Sequence, residues 1–190
     1  MLLKLENLQP TGSFKVRGAT NTVMSLSDEE RARGLITASG GNHGLGVAFG
    51  ARMTGCPTVI YLPSSTPPSK VEKLKALGAE TVIEGAVWDD ANKAALARAE
   101  ADGLTYIHPF ADPRVIAGQG TCALEICEQC AEKSLPTSLD ALLIPAGGGG
   151  LSEDPRTTGE QFCSSASGVG TSSAASLGPA RRGRSPARRL

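Results

Sequence analysis

The sequence predicts an α/β fold built on a doubly wound, mainly parallel sheet. Short β-branched segments alternate with longer segments of helical periodicity, glycine or proline stands at nearly every junction, and two glycine-rich stretches directly follow apolar runs. Strand–helix alternation of this kind makes βαβ units, whose right-handed crossovers cover both faces of one sheet. Ligands of such sheets bind beyond the carboxyl ends of the strands, so the loops there are the first place to look for chemistry.

Each element can be justified in chain order. After "PTGSFK" a helix-like stretch begins near Lys15. "GLITAS" (34–39) is a short apolar strand, and "NHGLGVAFGARMTG" (42–55) a helix stopped by Gly55. "PTVIYLP" (57–63) is β-branched and bounded by prolines, which marks a strand. "PSKVEKLKALG" (68–78) sets Val71, Leu74 and Leu77 at helical spacing, with Gly78 as the stop. "AETVIEG" (79–85) is a strand, "WDDANKAALARAEADG" (88–103) an Ala-rich helix closed by Gly103, and "TYIHPF" (105–110) a strand. "DPRVIAGQGTCALEICEQCAEK" (112–133) is one long helix or a helix pair, and "DALLIPAGGGG" (140–150) a buried strand running into four glycines.

Composition divides the chain in two. Residues 1–150 carry 13 Lys/Arg against 16 Asp/Glu; residues 151–190 carry six Arg, no Lys, three acidic residues, and 16 Gly, Ser or Pro. The tail, 151–190, has too few large apolar side chains to offset its ordering entropy, so disorder is expected there. Its end, "ARRGRSPARRL", has the character of a basic binding or targeting segment. The whole chain has a formal net charge of zero, so neither nucleic acid nor an anionic membrane is an expected partner. No run approaches the roughly 18 apolar residues of a membrane span, and "MLLKLENLQP" is too short in its apolar part for a secretory signal; the cytoplasm is the expected compartment. The five cysteines are odd in number and irregularly spaced, which excludes a disulfide framework. Cys127 and Cys130 form a single C-x-x-C with no second pair, so they are helical thiols and no metal site is expected.

Two loops and one lysine carry the candidate chemistry. "TASGGNHGLG" (37–46) runs from a strand into a helix that starts near Asn42. Exposed N–H groups and a positive helix end make an anion site there, with Asn42 and His43 adding polar groups at its mouth. It is not a dinucleotide loop: the spacing is not G-x-G-x-x-G, and the next strand does not end in an acidic residue. A P-loop fails too, for want of G-x-x-x-x-G-K-[ST]. "PAGGGG" (145–150) offers a row of unobstructed N–H groups suited to phosphate oxygens; a flexible linker is the other reading. Lys15, between Phe14 and Val16, is either a surface charge near a helix start or a nucleophile activated by apolar surroundings. A Schiff-base lysine, a phosphate loop and an anion loop together suit one ligand, pyridoxal 5′-phosphate, which is an aldehyde carrying a phosphate.

"ENLQPTGSFKVRGA", "SGGNHG", "HPFADPRVIAGQGT" and "PAGGGG" resemble, in order and spacing, the fold-type II pyridoxal-phosphate enzymes (tryptophan synthase β-like), and within them the serine/threonine dehydratase and serine racemase branch. The resemblance covers residues 5–151. It implies that Lys15 forms the Schiff base with the cofactor and later acts as base at Cα. Phe14 packs by the cofactor, Asn42 binds the pyridoxal 3′-oxygen, and the loop Ser39, Gly40, Gly41, Asn42 and His43 grips the substrate carboxylate. Gly147, Gly148, Gly149 and Gly150 hold the phosphate. The implied reaction is β-elimination, taking L-serine or L-threonine to a 2-oxo acid and ammonia. Racemases of this branch carry a second serine where this chain has Gly40, which argues against racemisation. Sulfhydrylases usually read Gly-Asn-Thr where this chain has Gly41-Asn42-His43.

The resemblance also implies an incomplete larger domain, a smaller subdomain over about residues 30–130, and homo-oligomeric full-length relatives. The composition change after the glycine loop suggests a truncated or frame-shifted reading of a longer gene. Serine racemase, another lyase of the same fold type, and a non-catalytic fragment or interaction protein are the competing readings.

Overall fold

The computed structural model describes residues 2–134, 141–145 and 147–152. Among them four parallel strands form one sheet: β1 (Leu35–Ala38), β2 (Thr58–Leu62), β3 (Glu80–Ile83) and β4 (Thr105–Tyr106), in spatial order β3-β2-β1-β4. β1 pairs with β2 from Leu35↔Thr58 to Ala38↔Tyr61, and with β4 at Leu35↔Thr105 and Ile36↔Tyr106. The chain winds outward from β1 to β3 and returns to the far side of β1 as β4. That reversal opens a crevice between the carboxyl ends of β1 and β4, the place where such sheets bind ligands.

Among the described residues six α-helices accompany the sheet: α1 (Lys15–Met24), α2 (Asp28–Arg33), α3 (Asn42–Thr54), α4 (Pro68–Ala76), α5 (Trp88–Asp102) and α6 (Pro113–Glu132). Central strands buried on both faces read as continuous apolar runs, as β1 and β2 do. Ile36, Ala38, Val59 and Tyr61 pack on Ala91, Ala95 and Ala99 of α5. Ile60 and Leu62 face the other way, onto Leu45 and Ala48 of α3 and Leu74 of α4. A third cluster joins Leu35 and Ile107 to Ala19 and Val23 of α1, Val47 and Ala51 of α3, and Val115 of α6. Each fully buried Leu, Ile or Val contributes about 1.5–3 kcal/mol. Local signals set the helix ends. Ser27 and Glu30 form a capping box on α2, the Asp112 carboxylate accepts from the Arg114 N–H at the start of α6, and Gly55 and Gly103 close α3 and α5 in the left-handed conformation.

Two expectations change and one alternative is resolved. β4 covers two residues rather than 105–110. Ile107 still donates to the Ile36 carbonyl (2.9 Å), but Pro109 has no N–H to continue the ladder, and His108 Nδ1 accepts from Phe110 N (3.2 Å) and Ala111 N (2.9 Å), turning the chain. Of the two readings of residues 112–133, one long helix or a helix pair, the first holds: Pro113–Glu132 is one helix. Residues 141–145 are not a buried strand: Leu143 is 91% exposed, and no strand lies beside this segment among the described residues. An apolar run becomes a strand only where a neighbour pairs its backbone groups. Cys127 and Cys130 lie on α6 as helical thiols. Cys163 and the Arg-rich end of the chain fall outside the described residues.

Candidate active site

Lys15 is the first residue of α1. Its backbone position is over-determined. Gly12, at φ +75°, makes the turn that delivers it. Gly46 of α3 sits so close that a Cβ there would lie 3.1 Å from the Lys15 carbonyl oxygen. On the opposite flank, Arg17 donates to Glu6 Oε2 (2.7 Å) and Oε1 (2.9 Å), to both Glu125 carboxylate oxygens (2.7 Å each) and to Thr121 Oγ1 (3.0 Å). Lys4 adds a bond to Glu125 Oε2 (2.6 Å). Paired charges with multiple hydrogen bonds fix orientation well, and these tie the 3₁₀ turn Glu6–Leu8 and α1 to α6.

The Lys15 amine turns inward and donates to the Pro109 carbonyl at 2.6 Å, with its nitrogen 5.4 Å from the centre of the Phe14 ring. Burial lowers its pKa from the ordinary lysine value, because desolvation disfavours the ammonium. A lysine held this way is closer to the neutral amine that attacks a carbonyl.

The loop after β1 opens α3. Ser39 Oγ accepts from Gly41 N (3.3 Å), Gly41 is the N-cap, and Asn42 stands exposed on the first turn. Asn42 lies one helical turn before Gly46, the residue of α3 that packs on the Lys15 backbone. Gly40 packs on Thr66: a Cβ at residue 40 would meet Thr66 Cγ2 at 3.0 Å and Cβ at 3.2 Å. His43 departs from expectation. Its ring is 3% exposed and lies inside the fold rather than at the mouth, with Nε2 3.2 Å from the Ile107 carbonyl, which also accepts from Thr37 Oγ1 at 2.7 Å. Burial, above all, pushes the His43 pKa down to about 4.

The glycine loop reaches the same corner. A Cβ on Gly148 would lie 2.8 Å from the Phe110 ring, and one on Gly150 3.0 Å from the Phe110 carbonyl oxygen. Gly147 has open space where a Cβ would stand, and Gly149 has φ +84°. Phe110 follows Pro109, so the lysine and the glycines meet on two successive residues. No group of three or more His, Cys, Asp or Glu side chains that could hold a metal occurs among the described residues.

The family described as "Pyridoxal-phosphate dependent enzyme" matches residues 1–152. The chain belongs to this family. An L-threonine ammonia-lyase of Thermotoga maritima is 49% identical over 149 residues, covering 78% of this chain and 36% of the relative. One from Geobacter sulfurreducens is 48% identical over 148 residues, 78% of this chain and 35% of its own. Among solved structures, threonine deaminase isoform 2 of Solanum lycopersicum matches with a TM-score of 0.72 at 45% identity, over 78% of this chain and 41% of that one. Maize serine racemase matches at 0.71 and 37%, over 78% and 43%. The chain spans about a third of the length of these curated relatives.

The residues present fit the pyridoxal phosphate on which this family depends. Side chains at Gly148 and Gly150 would fill the space over Phe110, Gly147 is open, and the Lys15 amine is half-buried beside an aromatic ring. Of the residues the sequence singled out, Lys15 meets Pro109 and Phe14, Gly148 and Gly150 meet Phe110, and Asn42 stands exposed at the start of α3. The sequence did not single out Pro109, whose carbonyl holds the amine, or Thr66, which fills the space beside Gly40. A carbonyl acceptor leaves no mark in residue identity, and Thr66 is 26 residues from its partner.

Proposed function

We propose that this chain carries the lysine-bearing part of a pyridoxal-phosphate-dependent hydroxy-amino-acid ammonia-lyase, acting on L-threonine or L-serine by β-elimination. The observation that carries the reading is the half-buried Lys15 amine on the Pro109 carbonyl, with Gly148 and Gly150 stacked on the adjoining Phe110. Pyridoxal phosphate supplies an electron sink for the carbanion at the substrate Cα. The glycine backbone of residues 147–150 holds its phosphate, and Asn42 its 3′-oxygen. The N–H groups that open α3 bind the substrate carboxylate at the positive end of the helix. Lys15 Nζ takes the Cα proton and the β-hydroxyl departs as water; a water then hydrolyses the resulting enamine, giving 2-oxobutanoate from threonine or pyruvate from serine together with ammonia.

The names of the curated relatives support the lyase reading over racemisation, and so does Gly40. Inversion needs a proton donor on each face of Cα, and Thr66 occupies the space a side chain at residue 40 would take. Residues 1–150 form the enzyme part, with about 30–130 as its smaller subdomain, and the cytoplasm is the proposed compartment. The test is direct: add pyridoxal phosphate to the purified chain, record the Schiff-base absorption band, and repeat with Lys15→Ala. The reading requires a band that vanishes in the variant, and 2-oxo acid formed from threonine or serine. A band that persists without Lys15 would overturn it.

A further inference from the structure

We propose that His43 is a positioning residue for Lys15, acting through the turn Ile107–Ala111. The turn is the hub of the crevice. Its Ile107 carbonyl accepts from Thr37 Oγ1 (2.7 Å) and faces His43 Nε2 (3.2 Å), its Pro109 carbonyl accepts the Lys15 amine (2.6 Å), and His108 Nδ1 accepts two of its backbone N–H groups. Facing a carbonyl, Nε2 of His43 must carry the hydrogen and donate it, which leaves Nδ1 with a bare lone pair. That Nδ1 is buried and has no partner in the structure.

An apolar side chain would fill the same core position without leaving a buried acceptor unsatisfied, an arrangement that costs about 1–3 kcal/mol. What the imidazole adds is a second donor on Ile107. With both donors in place the carbonyl is held at the end of β1, and Pro109, two residues on, presents its own carbonyl to Lys15 in a fixed direction. With His43 removed the turn hangs on Thr37 alone, the Pro109 acceptor drifts, and the Lys15 amine swings to solvent. The ionisable groups coupled electrostatically to that amine are His43 from α3 and His108 from the segment after β4, and Asp112 acts in turn on both histidines. The functional meaning of this coupling rests on reading Lys15 as the reactive lysine; the coupling itself does not.

Competitive acetylation of the intact chain with acetic anhydride over a pH series, read by mass spectrometry, gives the titration midpoint of Lys15 without any cofactor. His43→Ala is expected to raise that midpoint toward the ordinary lysine value, as water reaches the amine. His43→Gln keeps an N–H donor near the Nε2 position and is expected to recover most of the wild-type midpoint. An unchanged midpoint in a natively folded His43→Ala, or equal shifts in the Ala and Gln variants, overturns the proposal. Should His43→Ala fail to fold, Thr37→Val removes the other donor on the same carbonyl. A smaller upward shift supports the hub, and no shift overturns it. A wild-type chain that takes no pyridoxal phosphate would defeat the proposed function while leaving this measurement intact.

Discussion

Adding one methyl group at Gly118 should dislodge the helix that carries Lys15. Gly118 lies in the second turn of α6 where it meets α1, and a Cβ there would stand 2.6 Å from Gly18 Cα, 2.7 Å from Asn21 Cβ and 2.8 Å from the Arg17 carbonyl oxygen. Ordinary carbon contacts begin near ~3.5 Å, so the helices must separate by roughly 1 Å. Two of the three atoms are backbone, so no rotamer change relieves the clash. Overpacking a filled interface costs about 1–3 kcal/mol, and the upper half of that range applies when the backbone must move. Replacing glycine by alanine inside a helix returns about 0.5–1 kcal/mol. The net expectation for Gly118→Ala is a loss of about 1–2 kcal/mol, or a Tm lower by roughly 2–8 °C. Urea unfolding followed by far-UV circular dichroism measures the first quantity and a thermal scan the second. Because α1 moves, the Lys15 acetylation rate should change in the same variant. Gly118→Ala at wild-type stability or above would refute the reasoning, since only the propensity gain would then remain.

Other perturbations have equally definite expectations. His43 has a folded pKa of about 4, below its unfolded value, so its stabilising contribution is complete above about 6.5 and is lost as pH falls toward 4. For this buried ring the loss over that window is of order 3 kcal/mol, and His43→Gln should flatten the corresponding slope in urea titrations run across it. Arg17 hydrogen bonds depress the Glu125 pKa to about 2. Its contribution is therefore present above the ordinary glutamate pKa and disappears as pH falls from there toward 2, and Glu125→Gln should show less acid sensitivity in that window. Arg17→Met strips the Glu6 and Glu125 carboxylates of their shared partner, whose side chain is 8% exposed, and should cost roughly 2 kcal/mol by chemical denaturation. Gly40→Ser should destabilise through its clash with Thr66, and Thr66→Ala should rescue it. Additive effects in that double-mutant cycle would argue against the contact.

Much of this protein is legible from the sequence alone. The runs at 35–38 and 58–62 are apolar on both faces, which only a covered parallel strand tolerates, and Gly55 and Gly103 sit where helices must stop. Lys15, Asn42 and Gly147–Gly150 stand out because each has a local signature: a lysine after a tight turn, a polar residue at a helix start, a run of bare backbone. Tertiary structure decided the rest. It ended β4 at Tyr106, because Pro109 has no hydrogen to donate and His108 turns its ring back on the amides. It left Leu143 in solvent, because an apolar run is buried only where something lies beside it. It took the His43 ring from the mouth into the interior, where a carbonyl 64 residues away pairs with its Nε2, and set the Lys15 amine on another carbonyl 94 residues away. Sequence identifies the side chains that can do chemistry. The carbonyls that hold them are common to every residue, so only the fold selects which ones are used.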